Sequence, residues 1–394
     1  MKKLLVIGAG FLQSFVIKRA RSMGYYVIAV DGDENAVGFS ECDEFSVIDI
    51  VDEEACFEYA CRMNIDGVLT AATDYGVKSA SYVAMKLGLP GLNYRAACLV
   101  KNKAEVRRRL YESHVDDTGE AFEIDSEMSI QKVSSDIAYP VMVKPCDGSG
   151  SRGASRVDSA DGLHAACRLA MSSSITGRCV IEPFVFGREY GAESFVVNGE
   201  IHVLGIMKKW MTEPPYYAEL GHAIPSGLSL DLEEKAKECI KRAIEALDIN
   251  FGSVNMDFLV SEEGSIHIVD VGARMGGNMI GPCVIPYGTG IDYVGNMIRC
   301  AVGDEPNWEA RDTVSVTTRL LAFDAGVVKC LPDFSQIEDE KAVEIYHHIE
   351  LGDIVNKYRT NLDGCGYIVA CREKSADSLL AAQSALDTVA KTIF

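Results

Sequence analysis

Ser253-Val254-Asn255-Met256-Asp257-Phe258-Leu259-Val260, then Ser261-Glu262-Glu263-Gly264, then Ser265-Ile266-His267-Ile268-Val269-Asp270-Val271, reads as two alternating strands joined by a short polar turn. With the turn centred between Glu263 and Gly264, Asp257 stands directly opposite Asp270. Side chains so opposed are about 5 Å apart at Cβ, and like charges there are destabilising unless a counter-charge intervenes. A hard divalent cation, magnesium or manganese, held by the two carboxylates and by substrate phosphates, answers that need. The alternative is a pair of acids on a solvated sheet face. His267, three residues before Asp270 on an alternating strand, points to the opposite face and is not counted as a ligand. Gly272-Ala273-Arg274-Met275-Gly276-Gly277 follows, setting a cation beside glycines that let backbone approach a ligand closely.

The 394 residues allow two or three domains, and 48% hydrophobic residues with 24% charged is the balance of a folded globular chain. A net charge of −20 without a block of Lys and Arg argues against nucleic acid and anionic lipid as partners. The opening Met1-Lys2-Lys3-Leu4-Leu5-Val6-Ile7 stops being apolar at Gly8, so it reads as a first strand rather than a signal peptide. No apolar run reaches membrane-spanning length, and a soluble protein is expected. Thirteen cysteines, with no Cys-x-x-Cys, sit mostly in apolar patterns. Free buried thiols in a cytoplasmic protein are expected, not disulfides or zinc.

Three regions follow along the chain. Residues 1–95 alternate short apolar strands (4–7, 26–30, 67–70) with helical patterns such as 11–23, which predicts a doubly wound α/β unit. Its first turn, Gly8-Ala9-Gly10-Phe11-Leu12-Gln13, opens like a dinucleotide fingerprint, with Asp31 where a ribose-binding acid would stand, but Gln13 replaces the third small residue. A tight turn without a dinucleotide is the other reading. Residues 96–305 begin with a helix over 101–111 and hold two strand-rich parts. One groups the strand at 141–144 with a type I′ hairpin at Asn198-Gly199; the other is the acid hairpin. Residues 211–227, rich in Pro and Gly and containing Glu219-Leu220-Gly221-His222-Ala223-Ile224-Pro225, read as a functional loop. Residues 306–394 carry strands at 314–323 and 366–371 and a closing helix over 375–394.

A strand ending in Lys144 runs at once into Cys146-Asp147-Gly148-Ser149-Gly150-Ser151-Arg152-Gly153. Glycines and serines let N–H and hydroxyl groups turn on phosphate oxygens, and Lys144 adds a point charge. Ala154 stands where a P-loop needs lysine, so that motif is excluded. Then comes Glu182-Pro183-Phe184-Val185-Phe186-Gly187-Arg188-Glu189.

A lysine-ended strand, a glycine loop, Glu-x-Phe-x-x-Gly-x-Glu, then two opposed acids and an arginine resemble the ATP-grasp superfamily over nearly the whole chain. The chain looks most like its carboxylate-amine ligases that join amino acids, through Glu219-Leu220-Gly221-His222 and Pro225. The resemblance implies an N-terminal domain (1–95) of the kind that precedes the grasp domain in biotin carboxylase and carbamoyl-phosphate synthase. It further implies an ATP-grasp domain (96–305) of two α+β subdomains, the small lid-like one at about 136–205, and a C-terminal α+β domain (306–394). It implies that Lys103, Lys144, Gly148, Ser149, Gly150 and Ser151 hold ATP phosphates, that Glu182, Phe184 and Val185 line the adenine pocket, and that Glu189 accepts from the ribose. Asp257 and Asp270 would bind magnesium. Arg274, with Gly276, Gly277 and Asn278, would bind the carboxylate substrate, and Glu219 and His222 would meet the amine or take its proton; a loop histidine that merely caps backbone is the alternative for His222. The family segment Glu-x-Asn-x-Arg is here Asp270-Val271-Gly272-Ala273-Arg274, which leaves open one metal ion or two. The implied reaction is an ADP-forming condensation of a small acid with an amine. A bicarbonate-activating or ribonucleotide-pathway ligase, a dinucleotide-dependent oxidoreductase and a non-catalytic ATP-binding regulator are the alternatives, and whether the chain forms a homodimer is open.

Overall fold

The computed structural model describes residues 1–148, 150 and 152–394; Ser149 and Ser151 of the glycine loop lie outside the described residues. Lys3–Ile7, Tyr26–Asp31, Glu44–Val47 and Gly67–Thr70 form a parallel sheet in the order third, second, first, fourth. Strands covered on both faces need continuous apolar runs, and Leu4 to Ile7 and Val27 to Val30 are fully buried. Helices Phe11–Ser22 and Glu53–Met63 link strands and Val77–Leu87 follows the last of them, giving the expected doubly wound α/β unit.

The acid hairpin begins an eight-stranded sheet in which every neighbouring pair is antiparallel: Ile266–Gly272, Gly252–Val260, Arg188–Val197, Glu200–Met211, Glu219–Ile224, Ser315–Leu320, Gly366–Arg372 and Glu344–His347. Its apolar face packs on helix Leu230–Ala246 through Val254, Met256, Phe258, Ile268 and Val271. Helix Ser375–Ile393 covers the far end. The other face carries the acids. A smaller sheet, Phe122–Ile124, Cys179–Pro183, Val141–Pro145 and Ser155–Val157, packs on helix Ala160–Ser173 and stands over that acidic face.

Three groupings differ from the sequence reading. Asn198 and Gly199 both have positive φ, as a type I′ turn requires, yet their hairpin lies in the large sheet. Residues 188–205 therefore do not belong with the small sheet. Glu219–Ile224, expected as loop, is a central strand, because pairing with Glu200–Met211 and Ser315–Leu320 overrides its irregular pattern. The C-terminal region extends the large sheet by three strands. Among the described residues no helix is long and apolar enough to cross a membrane.

The N-terminal sheet is seated on helix Tyr293–Ala301 where Gly67 meets its end: a Cβ there would lie 2.4 Å from the Ala301 carbonyl oxygen and 2.8 Å from Val302 Cγ1. Overpacking of this kind costs about 1–3 kcal/mol. Gly67→Ala should lose stability in that range in urea denaturation, and an unchanged midpoint would mean that the two elements do not bear on each other.

Candidate active site

Asp257 and Asp270 are cross-strand partners as expected, although the turn is centred on Glu263 and not between Glu263 and Gly264. The register holds from Asn255/Gly272 through Asp257/Asp270, then slips, so that Phe258 faces Ile268 and Leu259 faces His267. Val269 is thus an extra residue, a β-bulge. The bulge reverses the alternation between His267 and Asp270 and brings His267 to the acid face, correcting the sequence reading. There it lines the nucleotide-sized cavity with its Nδ1 3.2 Å from Thr118 Oγ1.

Each acid meets a lysine. Asp270 Oδ1 accepts a short hydrogen bond from Lys103 Nζ, and Asp257 Oδ1 lies 2.7 Å from Lys209 Nζ. Lys209, with no side-chain exposure, also holds Glu189 at 2.7 Å and Glu219 at 2.8 Å. It crosses to Asp257 over Gly191, which lies on the strand between them. Burial opposes the ammonium, but the three carboxylates raise its pKa well above the ordinary value. One ammonium among three buried acids leaves an excess of negative charge. Burial pushes Asp257 up to about 7; Lys209 opposes this, and Glu219 and Glu189 add to it. Glu219 is raised by burial but held at about 2 chiefly by Lys209.

That excess, with two opposed carboxylates open to the cleft, fits a divalent cation. Among the described residues no group of three or more His, Cys, Asp or Glu could hold a metal ion, so Asp257 and Asp270 would share it with phosphate oxygens.

A cavity of about 370 Å³ lies between the two sheets. Met142 and Lys144 alternate toward it while Val141 and Val143 are core. Lys144 Nζ lies 2.5 Å from Glu182 Oε1 and 3.3 Å from the Val269 carbonyl. Gly148, Gly150, Phe184, Val185 and Glu189 are also on the wall. Arg156 stacks on Phe184 and Phe186 at 4.6 and 5.1 Å.

A second cavity, also about 370 Å³, shares Lys103, Glu219, Asp257 and Asp270 with the first. Here Arg274 is forked onto Asp74 of the N-terminal unit at 2.9 and 3.1 Å, and its Nη1 donates to Asn255 Oδ1 at 3.3 Å. Gly277 and Asn278 line it, and Asn278 Nδ2 donates to Glu219. Two expected residues are not on this wall. Gly276 is buried and gives its N–H to Glu193 at 2.9 Å. His222 is 1% exposed, 4.0 Å from Glu219, with Nδ1 unpartnered; burial drives its pKa down to about 4, so it is neutral.

A third cavity, about 660 Å³, shares Leu12, Ala72, Asn361, Leu362 and Tyr367 with the second and reaches the Gly10 turn. Gln13 fills that turn, donating to the Ala71 carbonyl at 2.5 Å, and a Cβ at Gly10 would meet its Oε1 at 3.0 Å. Asp31 accepts from Ala9 N and Asp33 N at 2.7 and 3.0 Å. Both marks of a dinucleotide site are thus used internally.

Sequence reasoning missed Lys209, Asp74, Glu193 and Arg107. Arg107 had a signal, since it shares a helical stripe with Ala104, Val106 and Leu110, the buried face of Lys103–Glu112. The others depend on tertiary neighbours.

Residues 137–282 match the family model of the ATP-grasp domain, and the chain carries that domain. An uncharacterized protein, y4rH, of Sinorhizobium fredii is 25% identical over 334 residues, 83% of this chain and 68% of that one. The formate-dependent phosphoribosylglycinamide formyltransferase of Herminiimonas arsenicoxydans is 31% identical over 191 residues, 46% of each chain. The chain spans about half the length of the curated formyltransferases it matches. Its fold is shared with an L-amino acid ligase from Bacillus licheniformis (TM-score 0.86, 19% identity, 99% and 98% of the two chains covered). It is shared too with phosphoribosylglycinamide synthetase from Anaerococcus prevotii (0.77, 23%, 100% and 98%).

Glu193, fully buried, also accepts from Tyr293 OH and, at 2.9 Å, from Asn255 Nδ2; burial outweighs these donors and pushes its pKa to about 7. A carboxyl raised from 4.5 to about 7 binds more protons folded than unfolded, so its contribution to stability falls as pH rises through that window. The loss is about 3 kcal/mol. Glu193→Gln cannot titrate, and its stability relative to the parent should rise by about that amount between pH 4.5 and 7 in urea denaturation. A constant difference would refute the shift.

Proposed function

We propose that the chain is an ATP-dependent, ADP-forming carboxylate–amine ligase that activates a small carboxylate, an amino acid, as an acyl phosphate and condenses it with an amine to an amide or dipeptide. The observation that carries this is the shared wall of the first two cavities. Lys103, Asp257 and Asp270 face a nucleotide-sized space on one side and the Arg274 pocket on the other. A terminal phosphoryl group and a carboxylate bound to these two spaces would meet there. A carboxylate does not acylate an amine directly because oxide is its leaving group. Attack of the carboxylate oxygen on the γ-phosphorus breaks the bond to ADP, and amine attack on the acyl carbon then expels inorganic phosphate. Such chemistry asks for positioning and charge neutralisation and needs no protein nucleophile.

Lys144 and Lys103, with Gly148 and Gly150, would hold phosphate oxygens, Glu182, Phe184 and Val185 the base, and Glu189 the ribose. Magnesium or manganese, held by Asp257 and Asp270, would screen charge between the β- and γ-phosphates. Arg274 would take the substrate carboxylate and the later oxyanion. Glu219, on both walls, would receive the amine. His222 is neutral, stands behind Glu219, and is made a weak proton acceptor by the burial that lowers its pKa to about 4.

A ribonucleotide acceptor is the second reading, favoured by the 31% identity to a phosphoribosylglycinamide formyltransferase. Against it, the third cavity offers Asp31 and Asp33 and, among the described residues of its wall, His347 and His348 but no Lys or Arg to meet a phosphomonoester. The ligase reading predicts magnesium-dependent release of ADP and phosphate on adding an amino acid with a second amino acid or simple amine. Stimulation by phosphoribosylated amines alone would favour the ribonucleotide reading. Asp270→Ala and Lys144→Ala should each lower kcat/KM on the order of 10²–10³-fold with an unaltered circular dichroism spectrum. Undiminished ADP release in both would remove the basis for the site.

A further inference from the structure

We infer that Arg107 is a positioning residue for the metal-binding carboxylate: it holds the bulge that turns Asp270 toward Asp257. The inference rests on the metal reading of those two acids. Counting from the turn, Val260 faces Ile266, Leu259 faces His267 and Phe258 faces Ile268. Continued without interruption, that register would set Val269 opposite Asp257 and turn Asp270, beside Met256, into the core. The extra residue alone makes Asp270 the partner of Asp257.

The bulge lies on the edge strand of the large sheet, where the outer backbone groups have no neighbouring strand. Side chains take that part. Arg107 Nη2 donates to the Ile268 carbonyl at 2.6 Å, and Asp116 Oδ2 accepts from Ile268 N at 2.8 Å and lies 3.5 Å from Arg107 Nη1. Lys144 Nζ donates to the next carbonyl, that of Val269, at 3.3 Å. Glu182, on the small sheet, meets both cations, Lys144 at 2.5 Å and Arg107 Nε at 3.7 Å. Arg107 is 5% exposed. One planar fork serves a carbonyl and two carboxylates at once, which the point charge of a lysine cannot do. The clamp ties the small sheet to the segment immediately before Asp270, so the reach of that carboxylate into the cleft depends on a side chain that does not itself touch the acid pair.

The test is calorimetric titration of the full chain with ADP, first in EDTA and then over a magnesium series. Arg107→Lys and Asp116→Asn should raise the magnesium concentration for half-maximal tightening about tenfold or more, as loss of support behind a metal ligand does. For Asp116→Asn, at a residue off the wall of the first cavity, affinity for ADP in EDTA should fall far less. A magnesium midpoint equal to that of the parent, or parallel losses with and without metal, would overturn the inference. Should Arg107→Lys fail to fold, Asp116→Asn carries the same comparison. An ADP affinity of the parent chain that ignores magnesium would instead refute the metal reading itself.

Discussion

Two carboxylates fixed opposite each other on a half-buried sheet face repel, and everything around Asp257 and Asp270 is arranged to contain that repulsion. Lys103 reaches Asp270 from the start of a helix, and Lys209 reaches Asp257 from two strands away. Lys209 brings Glu189 and Glu219 to the same ammonium, so one buried cation joins the groups facing three parts of the cleft. Removing one partner of such a buried cluster costs far more than the cluster contributes, because the others are left uncompensated. The cluster is accordingly better understood as a fixer of geometry than as a source of stability.

The acid hairpin was legible because it depends on local information. A turn of defined composition and two alternating strands settle that Asp257 and Asp270 share a hairpin, though the register counted from the turn would set Val269 opposite Asp257. The slip at Val269 was not, since it is stabilised by Arg107 and Asp116, more than 150 residues away in sequence. The same divide separates Lys144 from Lys209. Lys144 ends a strand before a glycine loop, a pattern with chemical meaning. Lys209 follows Lys208 in an alternating strand and reads as one of two solvated lysines, and only the neighbouring strands decide which of them is buried. Asp74 belongs to a loop of another sheet, and nothing in its own neighbourhood announces a partner 200 residues on. Glu219–Ile224 was misread for the opposite reason: composition suggested a loop, and two flanking strands made it a ladder.

The N-terminal unit shows how a local motif can be kept and its use changed. Gly8 retains φ of +98°, and the strand-to-helix turn has the shape that a dinucleotide site needs. Its interior is nevertheless taken by the Gln13 amide, and Asp31 spends its oxygens on the backbone of Ala9 and Asp33. What remains is a rigid, anionic rim. Through Leu12 and Ala72 that rim becomes the wall of the second and third cavities, and through Asp74 it supplies the carboxylate on which Arg274 rests.

That division of labour constrains how a substrate carboxylate can be received. Arg274 is bound on one edge by Asp74 and on another by Asn255, whose own amide is oriented by Glu193. A guanidinium has five donors, so a ligand can add to this arrangement without dismantling it. Among its described residues the wall of this cavity carries Asp74, Asp147, Glu219, Asp257 and Asp270 against Lys101, Lys103 and Arg274, so a ligand that brings an ammonium with its carboxylate would lessen the excess of negative charge. An α-amino acid, with an ammonium one carbon from its carboxylate, would present a charge of each sign to Asp74 and Arg274. The charge balance of the pocket thus supports the amino-acid substrate proposed above, beside the resemblance.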